Sequence, residues 1–145
     1  MTIPRMTVIT LGVADLVRAT KFYRQIFSTP MITQFEGVTF IPLPGVWLSL
    51  YPLEKLTDDI GQDVQPPAPN IFRGFTLAYN ARSKEEIASI FALAAEAGAH
   101  IAKAPQDTFW GGYSGYFTDL DGYYWEVAWG PMFDFTEHGD LRFKA

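Results

Sequence analysis

Val8-Ile9-Thr10-Leu11-Gly12-Val13-Ala14-Asp15, with the run 16–27 behind it, recurs 68 positions later as Thr76-Leu77-Ala78-Tyr79-Asn80-Ala81-Arg82-Ser83, with the run 84–95 behind it. In each copy an apolar stretch of strand character reaches a side-chain oxygen, Asp15 or Ser83, that can cap a helix, and an amphipathic stretch follows. Each half then closes on a tryptophan-bearing strand, Gly45-Val46-Trp47-Leu48-Ser49-Leu50-Tyr51-Pro52 in the first and Tyr123-Tyr124-Trp125-Glu126-Val127-Ala128-Trp129-Gly130 in the second. The chain reads as one design written twice. That makes an α+β fold of two β-α-β-β-β modules, and a duplicated unit of this kind is expected to build its site between the copies.

Working outward, 7–13 is rich in β-branched residues and reads as a strand. Leu16, Ala19, Phe22, Tyr23, Ile26 and Phe27 then recur at helical spacing, and Pro30 forbids continuation, so a helix is expected over 16–27. Strands are expected near 31–35, 38–43 and 46–51, separated by Gly37 and the turn Pro44-Gly45. Between 52 and 73 the pattern dissolves into Asp58-Asp59, Gly61 and Pro66-Pro67-Ala68-Pro69-Asn70, which predicts an exposed connection. The second module opens with a strand over 74–81 and a capping box, Ser83-Lys84-Glu85-Glu86, ahead of Ile87, Ile90, Phe91 and Ala94; Gly98 ends that helix. Strands near 100–102, 113–118 and 124–129 follow, with Asp119-Leu120-Asp121-Gly122 as the turn between the last two. The expected organisation is a single domain over 1–145, with module one at 6–52, a linker at 53–73, module two at 74–130 and an aperiodic tail at 131–145.

The 48% hydrophobic content is ample for one core at 145 residues. No apolar stretch approaches the ~20 residues needed to cross a bilayer, and 1–5 lacks the apolar segment of a secretion signal, so a cytoplasmic protein without membrane contact is expected. The absence of cysteine excludes disulfides, thiolate catalysis and sulfur-built zinc sites. A net charge of −5, with 11 scattered Lys and Arg, speaks against nucleic acid as a partner. Aromatics make up 16% of the chain and crowd 109–117, which is how a core is filled or a concave pocket lined.

Thr10-Leu11-Gly12-Val13-Ala14-Asp15-Leu16, then Lys21-Phe22-Tyr23, together with Phe117-Thr118-Asp119-Leu120-Asp121-Gly122-Tyr123-Tyr124-Trp125-Glu126-Val127, resembles the vicinal oxygen chelate superfamily of glyoxalases, bleomycin-resistance proteins and extradiol dioxygenases. The resemblance implies curled mixed sheets that form an open cavity, commonly in a homodimer. It also implies, in the metalloenzymes, a divalent ion held by one side chain from the first and one from the last strand of each module. Carried over by motif, those four places fall on Val8, Leu48, Thr76 and Glu126. An ion of this kind needs at least three converging His, Asp or Glu side chains, and only Glu126 qualifies, so no metal and no other cofactor is expected.

Glu126 alternates with Trp125 and Val127 and so takes the opposite strand face. In a desolvated cavity it would act as general base or pair with a cationic ligand; otherwise it is hydrogen-bonded to a tyrosine or faces solvent. The last strand is offset by 78 rather than 68, so ten extra residues enter a loop around Trp110-Gly111-Gly112-Tyr113-Ser114-Gly115-Tyr116, read equally as a cavity wall or as a turn packed by its own aromatics. The candidate ligand-binding residues are Trp47, Leu48, Thr76, Trp110, Tyr113, Tyr116, Trp125 and Glu126, and Glu126 is the candidate catalytic residue. His100 and His138 have neither metal nor triad spacing, and Arg73, Asn80 and Gln106 are polar groups at element ends that would fix a ligand. Three readings stay open. They are binding of a small apolar, aromatic or cationic molecule in an aromatic cavity without the metal; a lyase, isomerase or dioxygenase using Glu126; or a filled pocket and a role in association alone.

Overall fold

The computed structural model describes all 145 residues and divides into two compact units, Met1–Pro69 and Asn70–Ala145. Both are α+β, with mixed sheets and no closed barrel. No helix is long and apolar enough to cross a membrane.

In the first unit β1 (Val8–Val13) leads into helix α1 (Leu16–Ile26). The Asp15 carboxylate accepts from the Arg18 N–H at 3.0 Å, satisfying one of the free donors of the first turn. Ala19, Thr20, Phe22 and Tyr23 form the helix's buried face. Strands β2 (Thr39–Ile41) and β3 (Trp47–Pro52) complete a sheet ordered β1-β3-β2, with β1 parallel and β2 antiparallel to β3. Leu11, Val13, Ile41, Leu48 and Leu50 fill the core with Phe22 and Tyr23, each aliphatic side chain contributing about 1.5–3 kcal/mol for full burial. Inside it the hydroxyls of Thr20 and Thr39 bond each other at 2.8 Å.

Two sequence expectations change here. The strand expected at 31–35 shrinks to a single bridge, Ile32 to Phe40. The connection expected from 53 begins as helix α2 (Leu53–Ile60). It packs where β1 carries no side chain: a Cβ on Gly12 would lie 2.7 Å from Leu53 Cδ1 and 3.3 Å from Leu56 Cδ2.

In the second unit β4 (Leu77–Asn80) leads into α3 (Lys84–Glu96). The Ser83 hydroxyl accepts from the Glu86 N–H at 3.2 Å, but the returning arm of the box goes one residue further, Glu86 accepting from the Arg82 N–H at 2.9 Å. Strands β5 (His100–Asp107), β6 (Tyr113–Thr118) and β7 (Tyr124–Trp129) give a sheet ordered β4-β7-β6-β5. The β6–β7 turn is fixed by Asp119, whose carboxylate accepts from the Asp121 and Tyr123 N–H groups, both at 2.9 Å, and by Gly122 at φ 85°. Ile87, Phe91 and Ala94 of α3 cover Phe117, Trp125 and Val127; Phe117 stacks on Trp125 at 6.2 Å and meets the edge of Phe91 at 5.9 Å. The segment 131–145, expected to be aperiodic, closes as a hairpin, β8 (Phe133–Phe135) with β9 (Leu141–Phe143). Phe133 stacks on Phe143 at 5.9 Å and Asp134 takes Arg142 Nε at 3.0 Å.

Candidate ligand site

Alternation along the strands separates a helix-covered face from an open one in each unit. In the second unit the open face carries one residue per strand in a single register row: Ala78 opposite Glu126, Glu126 opposite Tyr116, Tyr116 opposite Lys103. Tyr116 donates its hydroxyl to Glu126 Oε2 at 3.1 Å. Burial, and then the charge and hydrogen bond of that carboxylate, hold the Tyr116 phenol above its ordinary pKa, so it stays a proton donor at neutral pH. Tyr116 of this pair lines a cleft of about 480 Å³, together with Phe72, Thr76, Ala102, Lys103 and Tyr124. Phe72 meets Tyr124 edge-on at 5.5 Å and forms an aromatic wall. Phe72 is 58% exposed, an apolar surface held open to solvent beside polar groups.

In the first unit the corresponding face carries Val8 opposite Trp47, then Thr10 opposite Ser49, with Phe40 on the far side of Ser49. Thr10 and Ser49 bond through their hydroxyls at 2.5 Å. A cleft of about 620 Å³ is lined here by Arg5, Thr7, Val8, Phe40, Leu43, Pro44, Gly45 and Trp47.

Thr76, Tyr116 and Glu126 thus share one open face, and Trp47 lies on the other. The remaining candidates lie elsewhere. Leu48 is 2% exposed and Trp125 7%, both on the helix-covered faces, where alternation puts them once Trp47 and Glu126 face the other way. Tyr113 alternates away from Tyr116 and lies under Lys84, whose ammonium is 5.2 Å from the ring. Trp110 packs on its own neighbourhood: a Cβ on Gly112 or Gly130 would lie within 3 Å of its ring, and Phe133 is 6.0 Å away. Arg73 donates to the Asp121 carbonyl at 3.2 Å and sits 4.5 Å over Tyr123, tying the β6–β7 turn. Asn80 ends β4, and Gln106 and His100 are exposed on β5. His138 is exposed in the β8–β9 hairpin, 3.4 Å from Glu137. No group of three or more His, Asp or Glu side chains is gathered closely enough to hold a metal ion.

Arg5, Phe40, Phe72, Lys103 and Tyr124 escaped the sequence reading. Tyr124 was within reach of it, lying two residues before Glu126 and so on the same face. Lys103 was not, because β5 shifts register between Ile101 and Lys103 and again before Gln106.

Comparison with known proteins agrees with this architecture. A glyoxalase-related enzyme from Fulvimarina pelagi superposes with a TM-score of 0.86 at 27% identity, covering 99% of this chain and 100% of that one. The fosfomycin resistance protein FosX from Listeria monocytogenes gives 0.66 at 24% identity, covering 90% and 97%. Lactoylglutathione lyase from Agrobacterium tumefaciens gives 0.63 at 21%, covering 89% and 96%. The last two likenesses show the fold alone. The family model of the Glyoxalase/Bleomycin resistance protein/Dioxygenase superfamily matches residues 5–127, and the chain belongs to that superfamily.

Proposed function

We propose that the protein binds a small aromatic molecule in the cleft above the Tyr116–Glu126 pair, without the divalent ion of the superfamily's metalloenzymes. The observation that carries this reading is the cleft itself, in which the neutral phenol of Tyr116, hydrogen-bonded to Glu126, shares the lining with the Phe72–Tyr124 wall. A ring laid on that wall meets the Tyr116 hydroxyl, which is bonded to Glu126 Oε2, and the Lys103 side chain among the residues that line the cleft. The metal-free part rests on donor chemistry. Of the four places, taken by strand register, Val8 is hydrocarbon, Ser49 and Thr76 are neutral hydroxyls, and Glu126 has one oxygen engaged by Tyr116.

The affinity expected is low. Covering about 150 Å² of aromatic surface at about 25 cal/mol per Å² gives about 4 kcal/mol gross, from which the cost of association is still to be subtracted. Ligand-observed NMR, which reads millimolar binding, is therefore the assay, with benzylammonium and benzyl alcohol as probes. Glu126→Gln should weaken benzylammonium about threefold, the scale of a partly exposed charge pair, and leave benzyl alcohol unchanged. Equal binding of benzylammonium by wild type and Glu126→Gln would remove Glu126 from the site. Metal analysis of protein purified without chelator or affinity tag should find far less than one equivalent of any divalent ion, and a full equivalent would overturn the metal-free reading.

A further inference from the structure

We propose that the cleft of the first unit binds a planar apolar molecule carrying a carboxylate, with Arg5 as the carboxylate's partner. The eight residues that line it include one charged side chain, Arg5, and no acid. Its walls are hydrocarbon and aromatic: Val8 opposite Trp47 in register, the Phe40 ring 6.1 Å from that of Trp47 at 60°, and Leu43 and Pro44 beside them. Val8 is 41% and Trp47 40% exposed, in strand positions whose neighbours Leu48 and Leu50 are buried. Neighbouring strands thus leave a flat indole and an isopropyl group available to a ring of matching shape.

Arg5 fixes the chemistry of the other end. Its Nη2 donates to the Gly45 carbonyl at 3.1 Å, which anchors the guanidinium to the turn that precedes β3 and sets it at the margin of the apolar walls. A guanidinium carries five N–H donors in a planar fork, so a single carbonyl leaves donors to meet a carboxylate. In a chain of net charge −5, a cleft whose only charge is positive is a local reversal of the overall field, and it favours an anion over a cation of the same shape. The residues that line this cleft are not those of the Tyr116 cleft, so each is tested by its own variants.

The test uses three probes of one shape: 2-naphthoate, 2-naphthalenemethanol and 2-naphthylmethylammonium, titrated into the full chain at low and high salt. Affinity is read by ligand-observed NMR. The site is read by the Trp47 indole N–H signal, identified through its loss in Trp47→Phe. Naphthoate should bind about fivefold more tightly than the alcohol, the value of one well-formed ion pair near the surface, and the ammonium more weakly than both. The preference should shrink at high salt, vanish in Arg5→Gln, survive in part in Arg5→Lys, and be untouched by Tyr116→Phe. Equal binding of the three probes by wild type, no binding of any of them, a naphthoate preference that persists in Arg5→Gln, or an unmoved Trp47 signal at saturation would each overturn the proposal. So would loss of naphthoate binding in Tyr116→Phe, which would place the ligand in the other cleft.

Discussion

Trp110 rests on two glycines, and the two should respond differently when the indole is taken away. A Cβ on Gly130 would meet Met132 Sδ at 2.5 Å and Trp110 Cζ3 at 2.8 Å, both side-chain atoms. A Cβ on Gly112 would meet Trp110 at 2.0 and 2.2 Å, but also the Trp129 carbonyl oxygen at 2.5 Å, which is backbone. Overpacking of this kind costs about 1–3 kcal/mol, and in a chain of this size each kcal/mol lowers Tm by about 3 °C. Gly130→Ala should therefore lower Tm by about 6 °C. In a Trp110→Ala background its remaining obstacle is the thioether of Met132, on an unbranched side chain that repacks, so the cost should fall below about 0.5 kcal/mol. The coupling between the two positions is then at least about 1 kcal/mol. Gly112→Ala should keep a cost of about 1 kcal/mol or more in that background, because the Trp129 carbonyl does not move aside. Urea unfolding of the wild type and the five variants gives every term. Equal costs for Gly130→Ala with and without Trp110, or a cost for Gly112→Ala that vanishes with the indole, would show that the indole does not lie on this glycine ledge.

Two further outcomes follow from polar groups. Thr39→Val strands the Thr20 hydroxyl in the first unit's core and should cost about 1–3 kcal/mol, whereas Thr20→Val with Thr39→Val should be near neutral; urea unfolding of the three variants checks this, and a double variant as costly as the single would refute it. Burial and the hydrogen bond to Glu86 push the Tyr79 phenol up to about 12, from 10.0 in the unfolded chain. A folded-state pKa raised in this way gives stability that is complete below pH 10.0 and is lost as pH rises through about 12. Unfolding measured across that window should show a decline that Tyr79→Phe makes shallower, and identical profiles for the two proteins would refute it.

What could be read from the sequence is what short-range chemistry decides. Asp15 and Ser83 mark the starts of α1 and α3 because a capping oxygen must lie within three residues of the N–H it takes. β6 and β7 fall on the expected residues because Asp119 and Gly122 fix the turn between them by local bonds. Helix α2 was hidden for the opposite reason. Leu53, Leu56 and Ile60 recur at helical spacing over only eight residues, interrupted by Asp58-Asp59 and followed by a glycine and prolines, and what holds the two leucines is the bare backbone of Gly12, about forty residues earlier. The β8–β9 hairpin is three residues a side, too short for alternation to register, and depends on the Phe133–Phe143 stack and the Asp134–Arg142 pair across the turn.

The site shows where motif matching and physical register part company. Matching the two tryptophan strands by sequence pairs Glu126 with Leu48, an offset of 78. Strand pairing gives a different partner. Ala78 lies opposite Glu126, and its counterpart 68 residues earlier, Thr10, lies opposite Ser49. The place in the first unit equivalent to Glu126 is thus Ser49, and an error of one residue in a strand exchanges the open face for the core. The consequence is chemical. Leu48 in that place would be hydrocarbon, whereas Ser49 is a hydroxyl, 3% exposed and bonded to Thr10. The two units have therefore kept the same row and filled it differently: Thr10, Ser49 and Phe40 in one, Ala78, Glu126, Tyr116 and Lys103 in the other. The first row satisfies its hydroxyls internally, and the cleft beside it is lined by Trp47 and Arg5. The second keeps a carboxylate and a phenol at its centre with Lys103 beside them, and that asymmetry is why we propose different ligands for the two clefts.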